Sequence, residues 1–512
     1  MNISRWISHW ADWHGEKTAL RFAGRELSYR QLDDRVRRLA AMLREGLDIG
    51  PGDRVAHLGY NSPELLELLF ACGRLGAILV PLNWRLAAPE HGWILQDCGA
   101  KAILAETEFA AHLEGLREAL PDLHMIAYGA APNAGWLSYA ALLDGAGADA
   151  DTAAVAPDDP LKIVYTSGTT GRPKGSVLSH QALFYNAVNS IAAHDLTGAD
   201  HVLTVLPMFH VGGMNIHTTP AIHAGATVTM HARFDPGETL AAIARDRPSI
   251  FLAVPAMILA MTAHPGWRDC DLSSLRMVGV GSSTVPEALL RAFMDRGIPT
   301  TQIYGLTESS PVAVCLPIAD AARKMGSCGK PVLHCQARVV DDDGNDAGAE
   351  ERGEIVLRGP NLSRQYWNNP EATAEAFRNG WFHTGDVGHL DDEGYFYVDD
   401  RKKDVVISGG ENIYPAELEN ILADCPEIQE AVVVARPDAR WGEIPLACVV
   451  RKPGSELTGA EVLALFEGRI ARYKHPRAVL FMAELPRNAM GKVLKFELRE
   501  SLAAGERNGD PA

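Results

Sequence analysis

Short apolar runs alternate with segments of helical periodicity through most of this chain, and this alternation constrains its fold more than any other feature. In one unit, the apolar run 275–280 (LRMVGV) leads to a turn of small residues, then to a helix opened by Pro286 and ended at Gly297, then to the run 300–304 (TTQIY). Strand, helix and strand in this order are typical of parallel sheets. We predict an α/β fold whose binding crevice lies where loops leave the carboxyl ends of strands.

The chain has 512 residues, which is too long for one hydrophobic core. Polarity changes in the stretch 389–404 (HLDDEGYFYVDDRKKD), where acidic and then basic residues crowd a turn-rich segment. We predict a domain boundary there. The N-terminal domain, residues 1–399, is expected to hold parallel or mixed sheets flanked by helices, and residues 400–512 are expected to form a small α+β domain.

Charge and composition exclude several function classes. A formal net charge of −17 without a basic stripe argues against nucleic-acid binding. The sequence contains no run of 18 uncharged apolar residues, so we expect no integral membrane association. The eight cysteines are scattered without a C-x-x-C pair, which argues against a zinc site and against a disulfide framework. A cytoplasmic protein is the expectation.

A glycine-rich segment, residues 165–175 (YTSGTTGRPKG), combines a conformationally free backbone with many hydrogen-bond donors. Glycine lets backbone N–H groups point inward around a phosphate, and Ser and Thr hydroxyls add further donors. The segment lacks the Gly-Lys-Ser/Thr ending of a Walker loop, because Ser176 follows Gly175 directly. On its own it is equally consistent with a surface hairpin.

Four further segments follow this loop along the chain: YGLTE (304–308), TGD (384–386), DRKKDVVISGGENIYPAELE (400–419) and PRNAMGKVLK (486–495). Together they resemble the adenylate-forming superfamily of acyl-CoA synthetases, carrier-loading adenylation domains and luciferases. The segment LPMFHVGG (206–213) is similar to the acyl-CoA synthetase branch, which includes bacterial fatty-acyl and aryl acid:CoA ligases. The resemblance implies a small, mobile C-terminal domain with Asp400 at its hinge.

The same resemblance implies a set of ATP-binding residues. The loop 165–175 is expected to cover the β- and γ-phosphates, Asp386 and Arg401 to hold the ribose, and Tyr304 to stack beside the adenine. Glu308 is the expected magnesium ligand, and Thr307 is expected at the α-phosphate. The full set for ATP is Thr166, Ser167, Gly168, Thr169, Thr170, Lys174, Gly281, Ser282, Ser283, Tyr304, Gly305, Thr307, Glu308, Asp386 and Arg401.

Residues for the chemistry and for coenzyme A are implied in the same way. Lys492 is expected to bridge the substrate carboxylate and the α-phosphate, because two anions must approach each other there. His210 is expected to gate the passage between the acid pocket and the coenzyme A channel, although a core histidine is the alternative. Gly409 and Gly410 are expected to line a narrow channel for the pantetheine arm, and a tight turn is their alternative.

The resemblance predicts an ATP-dependent ligase that uses Mg²⁺ and coenzyme A to convert a carboxylic acid to its thioester. The identity of the acid substrate stays open: a medium or long fatty acid is slightly favoured, with a phenylpropenoate or other aryl acid as the alternative. The candidates for its pocket are mostly apolar: Met214, Asn215, Val254, Pro255, Gly279, Ile303, Pro311 and Val312.

Three alternative functions stay open. An enzyme that loads a carrier protein is second, a light-emitting oxygenase third, and a degenerate nucleotide-binding regulator the alternative outside catalysis. A homodimer is the working hypothesis for the assembly. Gln365 and Lys495 depart from the pattern of the family, and neither is expected to touch the chemistry.

Overall fold

The protein is described by a computed structural model that covers residues 1–147, 152–166, 173–281, 285–408, 411–438, 440–487, 492–503 and 510–511. The helices in these ranges are α1 Arg5–His14, α2 Tyr29–Ala41, α3 Pro63–Leu75, α4 Ala88–Cys98, α5 Ala110–Glu114, α6 Tyr139–Gly145, α7 His180–Ala193, α8 Val211–Gly213, α9 Thr219–Ala224, α10 Pro236–Asp246, α11 Pro255–Ala263, α12 Glu287–Met294, α13 Pro370–Ala376, α14 Pro415–Ala423, α15 Gly459–Ala464 and α16 Lys495–Ala503. None of them is both long enough and apolar enough to cross a bilayer.

The strands form four sheets within the described residues. In chain order they are β1 Thr18–Phe22, β2 Arg25–Ser28, β3 Arg54–Leu58, β4 Ile78–Pro81, β5 Ala100–Glu106, β6 His124–Tyr128, β7 Leu137–Ser138, β8 Pro160–Thr166, β9 Lys174–Ser179, β10 His201–Thr204, β11 Thr227–Met230, β12 Ile250–Ala253, β13 Met277–Gly281, β14 Thr300–Tyr304, β15 Val314–Cys315, β16 Lys330–Pro331, β17 Gln336–Val340, β18 Gly353–Arg358, β19 Phe377–Arg378, β20 Trp381–Leu390, β21 Phe396–Arg401, β22 Val406–Ser408, β23 Glu411–Ile413, β24 Ile428–Asp438, β25 Gly442–Arg451, β26 Ala478–Met482 and β27 Asp510–Pro511.

Two large sheets make up most of the N-terminal part. The nine-stranded sheet has the order β16-β15-β14-β13-β12-β10-β11-β1-β2, and the seven-stranded sheet has the order β7-β6-β5-β3-β4-β8-β9. The interior strands pair in parallel: β10 with β12, β12 with β13, and β13 with β14. Antiparallel strands lie at the edges, where β8 and β9 form the hairpin that carries the glycine-rich loop. The predicted α/β class is confirmed.

The unit predicted around Pro286 is present. Strand β13 leads to helix α12, which begins one residue after Pro286, and Gly297 beyond its end has a φ of +78°. Strand β14 follows and pairs with β13 in parallel, with Gly281 opposite Ile303. The carboxyl ends of the two strands therefore lie side by side, as the binding crevice requires.

A five-stranded antiparallel sheet, β17-β18-β20-β19 with β21 beside β20, separates the large sheets from the C-terminal sheet in sequence. Its last strand contains Asp400 and Arg401, so the predicted boundary falls at the end of a strand and before β22 begins. Whether the two parts divide at residue 400 stays a prediction.

The C-terminal sheet, β23-β22-β25-β26-β27 with β24 on β25, is covered on both faces. Val433 and Val449 belong to one apolar cluster, whereas their neighbours Val432, Val434 and Val450 belong to another. Successive strand residues point to opposite faces, so a run of consecutive valines supplies both clusters. This accounts for the unbroken apolar runs of the sequence in this region.

Candidate functional site

One large cleft brings the predicted site residues together. Its volume is about 3250 Å³, and side chains from both the N-terminal and the C-terminal parts of the chain line it. The described candidates in its wall are Thr166, Lys174, His210, Gly281, Tyr304, Gly305, Thr307, Glu308, Asp386, Arg401 and Lys492. The other candidates, Ser167, Gly168, Thr169, Thr170, Ser282, Ser283, Gly409 and Gly410, lie outside the described residues.

Asp386 is the centre of a buried polar group at the predicted ribose site. It faces Arg401 across the paired strands β20 and β21, and the Arg401 Nε lies 2.6 Å from Asp386 Oδ1. The Tyr304 hydroxyl donates to Asp386 Oδ2 at 2.9 Å. Burial, followed by the charge of Asp386, raises the pKa of Tyr304 well above its usual value, so this hydroxyl keeps its proton. The group therefore presents a carboxylate and a guanidinium in fixed positions.

Two glycines let the backbone approach closely at the ends of β13 and β14. A Cβ atom on Gly281 would lie 2.7 Å from the carbonyl oxygen of Ile303, and one on Gly305 would lie 1.6 Å from the carbonyl oxygen of Pro311. Both obstacles are backbone atoms, which cannot rotate aside. The floor of the cleft consequently depends on the absence of side chains at these positions.

Glu308 lies on a short 3₁₀ turn, Thr307–Ser309, and is buried. Its Oε1 accepts a hydrogen bond of 2.7 Å from the Tyr366 hydroxyl. Among the described residues there is no cluster of three or more His, Cys, Asp or Glu side chains that could enclose a metal ion. A single carboxylate nevertheless fits magnesium, which in nucleotide sites takes one or two carboxylates and completes its shell with phosphate and water oxygens.

Tyr366 is a site residue that the sequence reasoning missed. It lines the cleft, contacts Glu308, and its ring centroid lies 5.7 Å from the Lys174 Nζ. The only signal in the sequence was its place directly after Gln365, a position that we expected to be remote from the chemistry. Its neighbours in space come from distant parts of the chain, so spacing along the sequence could not reveal them.

Lys492 lines the same cleft from the C-terminal part. Burial lowers its pKa, and the nearby Arg401 lowers it further, while Asp386 and Asp404 act in the opposite direction. The charges of Arg401, Asp386 and Asp404 therefore act on the Lys492 ammonium. Val493, the residue after Lys492, forms an antiparallel bridge with Arg487.

Asp400, the predicted hinge residue, is buried, and its Oδ1 accepts a hydrogen bond of 2.7 Å from the backbone N–H of Arg401. Burial raises its pKa to about 6. Lys495 Nζ lies 3.8 Å from Asp400 Oδ2 but is closer, at 2.9 Å, to Glu419. Lys495, which we noted only as a departure from the family pattern, thus contacts the predicted hinge.

His210 lies at the start of the short helix α8, with its ring centroid 4.6 Å from that of Phe209. Burial lowers its pKa to about 4, and the positive charges of Arg85 and Lys162 contribute. The imidazole is therefore neutral near pH 7. Its role as a gate stays a prediction.

Half of the candidates for the acid pocket line the cleft: Val254, Pro255, Ile303 and Pro311. The other four are buried, and none of them is part of the described wall: Met214, Asn215, Gly279 and Val312. Asn215 instead joins an internal network, accepting from Lys162 at 2.9 Å and donating to the Ser310 carbonyl at 2.9 Å.

Comparison with known proteins places the chain in a family. Residues 7–367 match the AMP-binding enzyme family, and residues 417–492 match the AMP-binding enzyme C-terminal domain. The chain belongs to the AMP-binding enzyme family. The predicted superfamily and the predicted class of enzyme, an AMP-forming acid–thiol ligase, are confirmed.

Individual relatives cover nearly the whole chain. An indoleacetate–CoA ligase of Aromatoleum aromaticum is 51% identical over 504 residues, which is 98% of each chain. A feruloyl-CoA synthase of Amycolatopsis is 43% identical and covers 94% of this chain and 95% of the relative. A long-chain-fatty-acid–CoA ligase of Mycobacterium tuberculosis is 39% identical and covers 93% of both.

Among solved structures, an anthranilate CoA ligase in complex with anthranoyl-AMP superimposes with a TM-score of 0.93 at 29% identity, covering 99% of this chain and 98% of that chain. The arrangement of a large N-terminal part with a smaller C-terminal part is shared with that structure. The predicted fold class is confirmed at this level.

Proposed function

We propose that this protein is an ATP-dependent aryl acid:CoA ligase. It joins a compact aromatic carboxylate to AMP with release of pyrophosphate, and then transfers the acyl group from AMP to the sulfur of coenzyme A. The observation that carries the proposal is the meeting of Lys492, Arg401, Asp386 and Glu308 at one cleft. Cations and carboxylates from distant parts of the chain converge where an anionic acid and a polyphosphate have to react.

The choice of an aromatic acid is supported by two of the relatives, an indoleacetate–CoA ligase and a feruloyl-CoA synthase. The indoleacetate–CoA ligase is the more similar of the two, at 51% identity. Ile303 and Val254 are apolar side chains in the wall of the cleft, where an aromatic ring can pack against them. We therefore prefer the aryl acid over the fatty acid that the sequence slightly favoured.

In the first half-reaction, negative charge develops at the part of the cleft where positively charged side chains lie. As the carboxylate oxygen attacks the α-phosphorus, negative charge gathers on the phosphate oxygens and on the departing pyrophosphate. The Lys492 ammonium stabilises this charge, and its withdrawal from solvent makes the interaction stronger than it is in water. Asp386 and Arg401 hold the ribose, so the α-phosphate stays within reach of the lysine.

Glu308 is the residue that would hold magnesium, since its buried carboxylate lies in the cleft wall. When bound, the ion supplies positive charge to the phosphate oxygens. The protein's own contribution is to orient ATP through Thr307, Lys174 and the loop 165–175, and to exclude water from the reacting atoms.

The second half-reaction requires coenzyme A to reach the acyl carbon that Lys492 approaches in this arrangement. We propose that residues 400–512 turn as a unit at Asp400, withdraw Lys492 and bring the segment 408–417 to the cleft. Gly409 and Gly410 then leave room for the pantetheine arm. Asp400 lies in the last strand of the antiparallel sheet, directly before the C-terminal sheet begins, and this position supports a junction there.

A panel of acids tests the function. Pyrophosphate release is measured with indole-3-acetate, phenylacetate, ferulate, anthranilate, octanoate and palmitate, each with MgATP, and thioester formation is followed after coenzyme A is added. We expect the highest kcat/KM among the aromatic acids, by at least about 10-fold. Preference for palmitate would assign a fatty acid instead, and acyl transfer to a carrier protein but not to coenzyme A would assign the carrier-loading reaction.

A further inference from the structure

Tyr366 lies between two elements that the reaction needs. Its segment runs against strand β9, where the Trp367 N–H donates to the Gly175 carbonyl at 2.7 Å and Tyr366 bridges Ser176. Strand β9 begins at Lys174, within the end of the glycine-rich segment 165–175. The backbone of Tyr366 is therefore fixed to the hairpin that carries this loop.

The Tyr366 side chain contacts two opposite charges. Its hydroxyl donates to Glu308 Oε1 at 2.7 Å, a length typical of a bond to a carboxylate. The Lys174 Nζ lies 5.7 Å from the centroid of its ring, within the range of a cation–π contact. Burial, followed by the charge of Glu308, raises the pKa of Tyr366 above its ordinary value, so the hydroxyl remains a donor.

We propose that Tyr366 is a positioning residue for adenylation, which holds Glu308 through its hydroxyl and Lys174 through its ring. The inference rests on the proposed function, since it assigns Glu308 to magnesium and Lys174 to the phosphates. Because the hydroxyl engages Oε1, Oε2 of the carboxylate would be left to hold the metal. The ring contacts the Lys174 ammonium, so one side chain engages both the proposed magnesium ligand and the proposed phosphate lysine.

The test replaces Tyr366 with Phe, which removes one oxygen and retains the ring. The matched control is Tyr139→Phe, because Tyr139 is likewise a tyrosine that donates to a buried carboxylate, Glu67, but neither residue lines the cleft. We expect Tyr366→Phe to weaken MgATP binding in calorimetry by about 10-fold or more, the usual effect of losing a hydrogen bond to a charged group. ATP binding without magnesium is expected to change much less.

Tyr139→Phe is expected to leave MgATP binding and adenylation unchanged, whatever it does to the thermal midpoint. Thioester formation from synthetic acyl-AMP is expected to be the same in the wild type and in Tyr366→Phe, because that step uses neither magnesium nor the β- and γ-phosphates. Equal losses in both half-reactions would overturn the inference and mark Tyr366 as a general structural residue.

A double-mutant cycle isolates the contact. In a Glu308→Ala background, Tyr366→Phe is expected to cause no further loss of MgATP affinity, because the acceptor of its hydroxyl is gone. Losses that add in full would overturn the inference. If Tyr366→Phe fails to fold, Tyr366→His supplies the test, since it keeps a planar ring but removes the phenol hydroxyl, and it is expected to show the same magnesium-dependent loss.

This inference and the proposed function fail in different ways. A wild type that binds MgATP but adenylates none of the acids refutes the proposed function. A wild type that adenylates aromatic acids while Tyr366→Phe binds MgATP normally refutes the role of Tyr366 alone.

Discussion

Asparagine in place of Asp400 removes a buried negative charge from the strand at which the two parts of the chain are predicted to turn. Burial raises the pKa of Asp400 from its ordinary 3.8 to about 6, a value that already includes the attraction of Lys495 and the repulsion of Glu419 and Asp404. A difference of about 2 pKa units corresponds to about 3 kcal/mol. The ionised carboxylate therefore costs about 3 kcal/mol in this arrangement.

The sign of the pH dependence follows from linkage. The folded protein holds the Asp400 proton more tightly than the unfolded chain does, so this group lowers the free energy of unfolding as pH rises from about 4 to about 6. Asparagine resembles the protonated acid and has no such dependence. We expect Asp400→Asn to match the wild type near pH 4 and to exceed it by up to about 3 kcal/mol above pH 7.

Thermal unfolding of both proteins between pH 4 and pH 8 measures the effect. The exposed Asp342, which pairs with Lys402 at 3.0 Å, provides the control, and Asp342→Asn is expected to show no comparable trend. A gap between Asp400→Asn and the wild type that stays constant over this range, or that shrinks as pH rises, refutes the reasoning.

Three further substitutions address the cleft. Lys492→Ala is expected to slow adenylation by about 10²–10³-fold while thioester formation from synthetic acyl-AMP persists, and equal loss of both half-reactions would contradict the role of this lysine. Tyr304→Phe, which removes the 2.9 Å hydrogen bond to Asp386, is expected to raise the KM for ATP about 10-fold, and an unchanged KM would argue against a ribose site there. Gly305→Ala places a Cβ atom 1.6 Å from the Pro311 carbonyl oxygen, and the displaced loop is expected to cost about 10²-fold in adenylation rate; activity within a factor of two would separate this loop from the site.

Local patterns in the sequence were sufficient to predict the strand-loop-helix units and the residues at their ends. The run ending at Gly281, the helix after Pro286 and the run ending at Tyr304 are contiguous, so propensity and turn chemistry indicate each of them. The neighbouring carboxyl ends then follow from parallel pairing. Resemblance to a family supplied the meaning of the motifs, and the structure places every described member of that set in one cleft.

Contacts between distant segments could not be predicted in this way. The Tyr366 hydroxyl reaches Glu308 across 58 positions of sequence, and the pairing that fixes its backbone comes from β9, still further away. The pKa of Asp400 depends likewise on side chains from later segments of the chain, such as Glu419 and Lys495. The lining of the acid pocket was also hidden, because Met214 and Val312 have the composition of a pocket wall but are buried outside the described wall of the cleft.

The most direct test of the central claim follows a single turnover with ATP labelled in the α-phosphate, indole-3-acetate and Mg²⁺, in the absence of coenzyme A. We predict a labelled acyl-AMP that stays bound to the enzyme, forms only when acid is present, and is converted to thioester and labelled AMP when coenzyme A is added. Label that remains in ATP with every aromatic and aliphatic acid, or that appears as ADP, would contradict the account.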